Sequence, residues 1–451
     1  IKYYGYLSWN KLGFRAADID SVQLKNAFSL ENLNTYQNIN WRENFGMGWK
    51  ITTGISYSTN KDDINNELQD ANNQKQIITN PSFYAFKNFK LNNQAQYAQA
   101  RVVLDKKLNG LNVIRFGADY FYSKEKSTYT LFDGTKFTES VTDNLESVFA
   151  EADVFITNEL AAKIGSRVEH SQIVNKWNVA PRLSIAYKFR NNSQASFAYG
   201  LFYQNPERKY LPAVASLDFS RAAHYILQYQ KIGNDRTFRI EAFYKKYTDL
   251  YKTTTSPTGR EVAFNNNGFG DAKGLELFFR DKKTFKNVDY WISYSYLDTK
   301  RDYLNYPQAI TPSFAANHTA AFVVKKFVTK WKTGFNLSYN FATGRPYYYF
   351  AYNSILNKYV IGDAGKTINY NSASFSVNYL PSIGKKDPKA FVVWVLGINN
   401  VFGQKQVFNY NYNNDGSRKE AVTPPSKRFI YIGCFLSFGI DRTQDAINNN
   451  L

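Results

Sequence analysis

The sequence of 451 residues contains 56 Lys and Arg against 37 Asp and Glu, which gives a formal net charge of +19 at pH 7. Its mean hydropathy is −0.48, and it has no apolar run near the roughly 20 residues of a spanning helix, which excludes a helical membrane protein. The single Cys excludes a disulfide framework and a Cys-based zinc site.

Aromatic residues make up 17% of the chain, with 35 Tyr and 36 Phe, and so many rings argue against intrinsic disorder. Tyr and Trp concentrate where one end of the ring is dry and the other is wet, as at a membrane surface. An aromatic-rich soluble β-sandwich or lectin is the alternative on composition alone.

The chain opens with IKYYGYLSW over residues 1–9. This segment has neither the basic start nor the apolar stretch of a signal peptide. Its pattern instead predicts a β-strand from the first residues onward. We therefore expect either a processed precursor or a chain that continues a larger protein.

Alternation of apolar and polar residues recurs along the whole sequence and predicts about 18 antiparallel strands. Their length of about 10–16 residues exceeds the 5–6 residues of soluble sheets and matches tilted strands that cross a bilayer. The predicted strands cover residues 2–9, 36–44, 49–60, 94–106, 111–125, 140–157, 160–172, 178–189, 194–204, 222–232, 236–252, 268–282, 288–301, 316–328, 332–346, 368–383, 389–403 and 428–440.

The polar faces of several strands carry charges of both signs, which suits a wet lumen lined by ion pairs. In residues 236–247, for example, Phe238 and Ile240 alternate with Arg239 and Glu241. The solvated outer face of a sandwich is the alternative for any one strand. The candidate lumen ion pairs involve Glu151, Asp153, Lys163, Arg167, Glu169, Arg182, Arg239, Glu241, Lys245, Glu276 and Arg280.

The connections between the strands alternate between tight turns and long loops. Tight turns fall at 45–48, 107–110, 158–159, 190–193, 233–235, 283–287, 329–331 and 384–388, and long loops at 10–35, 61–93, 205–221, 253–267, 347–367 and 404–427. Outer-membrane barrels have this asymmetry, with short periplasmic turns and long extracellular loops. In the last strand, Ile430, Ile432, Cys434, Leu436 and Phe438 can face lipid together, and a descending last strand places the tight turns in the periplasm.

Eight short segments carry a resemblance to a known family: AAKIGSRVE at 161–169, APRLS at 180–184, FAYGLFYQNP at 197–206, EAFYK at 241–245, GLEL at 274–277, WISYSY at 291–296, ATGRPY at 342–347 and INNVFG at 398–403. In order and spacing they resemble the C-terminal barrel of a TonB-dependent outer-membrane receptor of the kind found in Bacteroidota. Each segment by itself is a marker of the fold rather than a binding site.

This resemblance implies an all-β fold, a transmembrane antiparallel β-barrel of about 22 strands closed around an N-terminal plug. About 18 strands lie in this chain, so we expect the plug and the leading strands upstream of it. We assign residues 1–440 to the outer-membrane barrel and 441–451 to a periplasmic C-terminal tail.

The implied function is active uptake of a scarce or bulky nutrient, such as a siderophore, haem, glycan or peptide, across the outer membrane. The expected partners are the TonB complex through an upstream segment, the barrel's own plug, the lipid bilayer with lipopolysaccharide, and a surface lipoprotein. No cofactor is expected. Two rivals stay open: a passive porin or secretion-type channel closed by 18 strands, and a surface adhesive β-protein.

Catalytic and metal-binding patterns are missing from the sequence. His170, His224 and His318 lie on different predicted strands without carboxylates at ligand spacing, and Cys434 reads as a small lipid-facing residue. No phosphate-cradling loop, HExxH motif or ordered Ser-His-Asp set occurs, so we expect no enzyme. The basic residues are scattered rather than clustered, which disfavours nucleic-acid binding.

Aromatic residues at predicted extracellular strand ends are the candidate substrate contacts, because ring faces suit sugars, catechols and haem-like ligands. The alternative is an outer aromatic girdle that anchors the barrel at the membrane surface. The candidates are Tyr347, Tyr348, Tyr349, Tyr352, Trp177 and Tyr203.

Overall fold

The computed structural model describes residues 1–211, 217–255, 261–353, 355–356, 358–385 and 390–438. No helix within these ranges is long and apolar enough to cross a bilayer. The strands are β1 Lys2–Ala17, β2 Lys25–Gly46, β3 Trp49–Gln69, β4 Phe89–Lys107, β5 Val113–Thr130, β6 Lys136–Phe155, β7 Leu160–Ser171, β8 Lys176–Lys188, β9 Ser193–Gln204, β10 Ser220–Ile232, β11 Arg236–Thr255, β12 Glu261–Asp281, β13 Val288–Asp302, β14 His318–Val328, β15 Thr333–Ala342, β16 Pro346–Asn353, β17 Lys358–Lys366, β18 Tyr370–Tyr379, β19 Ala390–Asn399, β20 Asn409–Tyr412, β21 Lys419–Val422 and β22 Phe429–Phe438.

Eighteen of these strands form one antiparallel sheet in which each strand pairs with the next strand of the sheet along the chain. Strands β16 and β17 form a separate hairpin, and so do β20 and β21. Within the described ranges, β1 pairs only with β2 and β22 pairs only with β19. The sheet therefore has two edge strands, β1 and β22.

The eighteen predicted strands correspond one to one with the eighteen strands of the sheet, so the all-β fold class is confirmed. The assignment of residues 10–35 and 61–93 to loops is wrong over much of their length, because β1 continues to Ala17, β2 begins at Lys25 and β3 continues to Gln69. Both faces of these stretches carry polar residues, alongside apolar ones such as Leu12, Phe14 and Phe28, so the alternation is weak. Asn32, for example, donates to Asn60 Oδ1 at 2.8 Å and to Asp62 Oδ1 at 2.6 Å.

Residues 347–367 and 404–427 also contain β-structure that the loop assignment missed. The β16–β17 and β20–β21 hairpins lie there, at the end of the sheet that carries the long connections. Apolar and polar residues do not alternate in β16 because rings project from both of its faces. The root of the first hairpin is tight: a Cβ on Gly344 would lie 1.9 Å from the carbonyl oxygen of Thr367.

The two faces of the sheet differ as the alternation predicts. On β22, Ile430, Ile432, Leu436 and Phe438 share the outer face and are exposed, together with the free thiol of Cys434. Trp394 and Leu396 continue this apolar surface on β19. The opposite face carries aromatic rings on β22, such as Phe435, and charged residues on other strands, such as Arg115, and is the lumen side. The proposed tail at 441–451 lies outside the described residues.

Candidate functional site

The lumen face of β3–β7 carries a network of ion pairs. Asp105 accepts from Lys50 Nζ at 2.7 Å and from Arg115 Nε at 2.6 Å. Arg115 also pairs with Glu151, and Lys163 Nζ lies 3.7 Å from Glu151 Oε1. Cross-strand neighbours supply these contacts because residues directly opposite each other on one face lie about 5 Å apart. The same lysine reaches a second carboxylate, Asp153, at 3.2 Å.

A second network lies on the same wall around Arg167. Its Nη1 lies 2.6 Å from Asp119 Oδ2 and its Nε lies 2.5 Å from Glu169 Oε1. Arg101 approaches Asp119 at 3.3 Å. Sequence reasoning missed Arg101 and Asp119, although both stand at alternating positions of predicted strands. The alternating charged residues in 94–125 are the sequence signal that would have identified them.

The remaining candidate lumen charges mostly contact rings. The guanidinium of Arg182 lies 4.9 Å from the ring centre of Phe202. Arg280 lies 5.6 Å from the ring centre of Trp291, and its Nε also lies 2.8 Å from Asp289 Oδ1. Glu241 and Glu276 stand directly opposite each other on β11 and β12, and neither has a basic partner within 4 Å in the part of the chain that the structure describes. Two similar ring contacts are Arg239 with Phe278 at 6.0 Å and Lys245 with Phe243 at 4.9 Å.

The three histidines make contacts with different partners. The ring of His170 packs on Trp177 at 4.7 Å, His224 packs on Phe202 at 4.6 Å, and His318 Nδ1 lies 2.8 Å from the hydroxyl of Tyr294. Across the described ranges, no group of three His, Cys, Asp or Glu side chains is placed to hold a metal ion.

The tyrosines of β16 divide between the two faces of their hairpin. Tyr348 donates to the carbonyl of Thr311 at 2.9 Å, and its ring stacks with Phe350 and lies 6.2 Å from Tyr306. Tyr349 donates to the carbonyl of Asn414 in the turn of the other hairpin at 3.2 Å. These rings pack the extracellular loops against one another. Their role as substrate contacts stays a prediction.

The other predicted contacts lie elsewhere. Tyr352 is 55% exposed and packs edge-on against Tyr359 near the tip of the β16–β17 hairpin. Trp177 is 67% exposed on the outer face of β8, where it packs on His170. Tyr203 packs against a small buried cluster that includes Phe219 at 6.0 Å. The six candidates therefore do not form one site, and the position of Trp177 suits a membrane girdle.

Five residues join the two extracellular hairpins, and we call them the latch: Tyr347, Asp363, Tyr410, Tyr412 and Lys419. Lys419 Nζ donates to the Tyr347 hydroxyl at 3.0 Å and lies 2.9 Å from Asp363 Oδ2. The ring centres of Tyr347, Tyr410 and Tyr412 lie 4.7, 5.6 and 6.0 Å from the ammonium group. Such a cage holds a cation by the negative faces of its rings.

The electrostatics of the latch favour its charged form. Hydrogen bonds to Tyr347 and Asp363 raise the pKa of Lys419 above its usual value. Hydrogen bonds from Lys419 and Tyr412 lower the pKa of Asp363. Burial, followed by the hydrogen bond to Asp363, raises the pKa of Tyr412. The ion pair is therefore intact at neutral pH.

A cavity of about 470 Å³ lies on the lumen wall of β11–β15 and β18. The roots of both hairpins complete its lining: Thr343 and Arg345 precede β16, Thr367 follows β17, and Phe408 precedes β20. This volume is in the range of small-molecule sites, which is roughly 300–1,000 Å³. The latch thus joins two hairpins whose roots border the cavity.

Long antiparallel strands with an apolar outer face, a charged inner face and loops gathered at one end define an integral barrel of the outer membrane. Charged residues on the lipid side are costly, and this wall carries apolar side chains there instead. The cavity and the latch place ligand-sized space below the extracellular loops.

Comparison with known proteins agrees with this class. The model of a family described as TonB dependent receptor-like, beta-barrel, matches residues 2–401, and the chain belongs to this family. The predicted family of TonB-dependent receptors is therefore confirmed, and with it the outer-membrane location, whereas the Bacteroidota kind stays a prediction. No curated protein sequence matches the chain.

Solved structures share the fold at low sequence identity. The outer-membrane transporter YddB from Escherichia coli is 12% identical with a TM-score of 0.67, covering 96% of this chain and 69% of that one. The pyoverdine receptor FpvA from Pseudomonas aeruginosa, bound to pyoverdine, is 10% identical with a TM-score of 0.67, covering 96% and 71%. The siderophore receptor PiuA from Acinetobacter baumannii is 12% identical with a TM-score of 0.62, covering 96% and 74%.

Proposed function

We propose that this chain forms the wall of an active transporter that takes up a scarce or bulky nutrient with energy delivered by the TonB complex. The substrate binds at the extracellular end, and a plug in the lumen is moved to open the passage. The observation that carries the proposal is the cavity of about 470 Å³ beneath two latched extracellular hairpins. Such space beneath the extracellular hairpins suits a receptor that captures its substrate before transport.

The incomplete pairing of the sheet favours one of two alternatives. It supports a plugged barrel that has further strands and disfavours a passive channel closed by 18 strands. A pore closed by 18 strands requires β1 and β22 to pair with each other, and in the described residues each has a partner on one side only. Four further strands would fill this gap in a barrel of about 22 strands. The solved barrels that resemble the chain are also longer than it, since the chain covers 69% of YddB and 71% of FpvA.

The charged lumen wall supports the same proposal. The networks around Arg115 and Arg167 line the inside of the barrel with both signs of charge. A plug docks on such a wall by ion pairs and hydrogen bonds that can be exchanged for water. We further propose lipopolysaccharide as a partner of the outer rim, and a surface lipoprotein as a partner of the extracellular loops.

Dependence on TonB is tested by comparing nutrient phenotypes in the native host. We expect deletion of this receptor and deletion of TonB to abolish growth on the same limiting nutrient, and the double deletion to add nothing. Reintroduction of the receptor should restore growth only where TonB is present. A growth defect of the receptor deletion that the TonB deletion does not share would indicate a passive channel instead.

A further inference from the structure

Two rows of residues cross the lumen wall of β11–β15 and β18 and line the cavity. Residues of one row are paired directly opposite each other from strand to strand, and the second row lies two residues along each strand. The first row is Arg239, Phe278, Ser293, Ala321, Asn340 and Ser372, and the second is Glu241, Glu276, Ser295, Thr319, Ala342 and Tyr370. All of these residues line the cavity except Ser372 and Glu241.

Most of this wall is neutral and able to form hydrogen bonds. Ser293, Ser295, Thr319 and Asn340 have no side-chain hydrogen bond to another protein group within the described residues, and they face the cavity. Ala321 and Ala342 leave room between them. Adjacent strands lie about 4.8 Å apart, a spacing close to the length of one pyranose unit along a glycan chain. The wall therefore presents a ladder of hydroxyl and amide groups.

Aromatic rings border the ladder at its extracellular side. Tyr370 and Phe408 stack with their ring centres 6.3 Å apart, and both line the cavity. Phe408 is 38% exposed, so part of its ring is open to a ligand. The apolar C–H face of a sugar ring can cover such a surface while its hydroxyls bond to polar neighbours.

The charges near the ladder are of both signs. Glu276 lines the cavity, and Glu241 stands opposite it on the neighbouring strand. Arg239 and Arg345 also line the cavity, so neither sign of charge prevails there. Side chains of this kind suit a neutral ligand because carboxylate and guanidinium groups both bond to neutral hydroxyls.

An extended peptide fits the wall less well than a glycan. Peptides in sheet-lined sites commonly add a strand to a free sheet edge. The strands β13, β14, β15 and β18 are paired on both sides, so their backbone groups are already used. Recognition must therefore come from side chains that project into the cavity.

We propose that this cavity binds a neutral, polyhydroxylated ligand, namely a short oligosaccharide. The proposal rests on the proposed function, because it names the substrate class of that transporter. Ser295, Thr319 and Asn340 bind the sugar hydroxyls, and Phe408 packs against a sugar ring. The two hairpins cover the bound ligand.

The test is binding of the detergent-purified receptor to an array of oligomers of glucose, mannose, xylose and N-acetylglucosamine. The array also carries peptides, and ferric citrate is measured separately by calorimetry. We expect one neutral oligosaccharide to bind. Ser295→Ala combined with Asn340→Ala should raise its Kd roughly tenfold, as expected for the loss of two hydrogen bonds. The matched control is Ser184→Ala, which removes a lumen hydroxyl on β8 away from the cavity.

Phe408→Ala should also weaken the binding at least tenfold, whereas Phe408→Tyr, which keeps the ring, should change it little. Heat-dependent migration in gels verifies that each variant forms a barrel. The proposal is overturned if no neutral oligosaccharide binds, if only peptides or ferric citrate bind, or if the cavity variants bind the sugar as the wild type does. These results do not depend on TonB, so they are separable from the growth test of the transport function.

Discussion

Lys419→Met is expected to release the two extracellular hairpins and to speed access to the cavity several-fold. The side chain loses its ion pair with Asp363, its bond to Tyr347 and its place in the tyrosine cage. The exposed ion pair alone is weak, and the three rings add to it. The measurement is the rate at which a membrane-impermeant maleimide labels Ser295→Cys on whole cells, in a Cys434→Ser background that removes the native thiol.

Two variants make this result specific. Lys405→Met removes an exposed lysine of the same loop that has no contact of this kind, and it should label at the wild-type rate. Lys419→Arg keeps a cation in the cage and should retain most of the protection. Equal labelling of Lys419→Met and Lys405→Met would show that the latch does not limit access.

The ratio of the labelling rates of Lys419→Met and its parent, both carrying Ser295→Cys, should stay nearly constant from about pH 5 to about pH 9, and the ratio cancels the pH dependence of the thiolate itself. Asp363 has a lowered pKa, so its contribution is complete above the usual carboxyl pKa of about 4 and is lost only as the pH falls through the lowered value. Lys419 has a raised pKa, so its contribution is complete below about pH 10 and is lost as the pH rises further. A steep change in this ratio near pH 6–7 would contradict the latch as the controlling contact.

Arg167→Met is expected to lower the free energy of unfolding by about 2 kcal/mol, because it leaves two carboxylates without their shared cation. The side chains of Asp119 and Glu169 are only 8% and 15% exposed, so water compensates poorly for the loss. Urea unfolding in detergent micelles, followed by tryptophan fluorescence, measures the change. Arg190→Met, in a periplasmic turn, removes an exposed arginine and should cost little.

Neutralising the stranded carboxylate of Glu169 provides the complementary measurement. Addition of Glu169→Gln to Arg167→Met should recover part of the lost stability, since Glu169 then carries no uncompensated charge and Asp119 keeps its contact with Arg101. If Arg167→Met unfolds at the same urea concentration as Arg190→Met, the network contributes little to stability.

The strands were predictable because a membrane imposes one simple demand on each of them. A strand between lipid and a wet lumen must alternate, and every one of the eighteen predicted strands has its counterpart in the sheet. The demand ends where the sheet rises above the bilayer. Asn32 donates to Asn60 there, and polar residues of this kind weaken the alternation.

Local sequence patterns could not predict the contacts of the latch. Lys419 lies 72 residues from Tyr347 and 56 from Asp363 along the chain, and each belongs to a hairpin that sequence reasoning placed in a loop. The tyrosine run was recognised as a feature, but nothing in the run indicates which rings meet a lysine. The cavity likewise depends on strand register, which sets Ser295 beside Thr319.

The sequential pairing of the sheet has a consequence for how the protein can form and vary. Because each strand of the sheet joins the one before it, the wall can grow one hairpin at a time, and each addition closes only a short loop of chain. A hairpin inserted or deleted at an extracellular turn leaves the pairing of all other strands unchanged. Such a wall can change its circumference only in steps of two strands. The width of the passage in related proteins therefore changes in discrete steps of one hairpin.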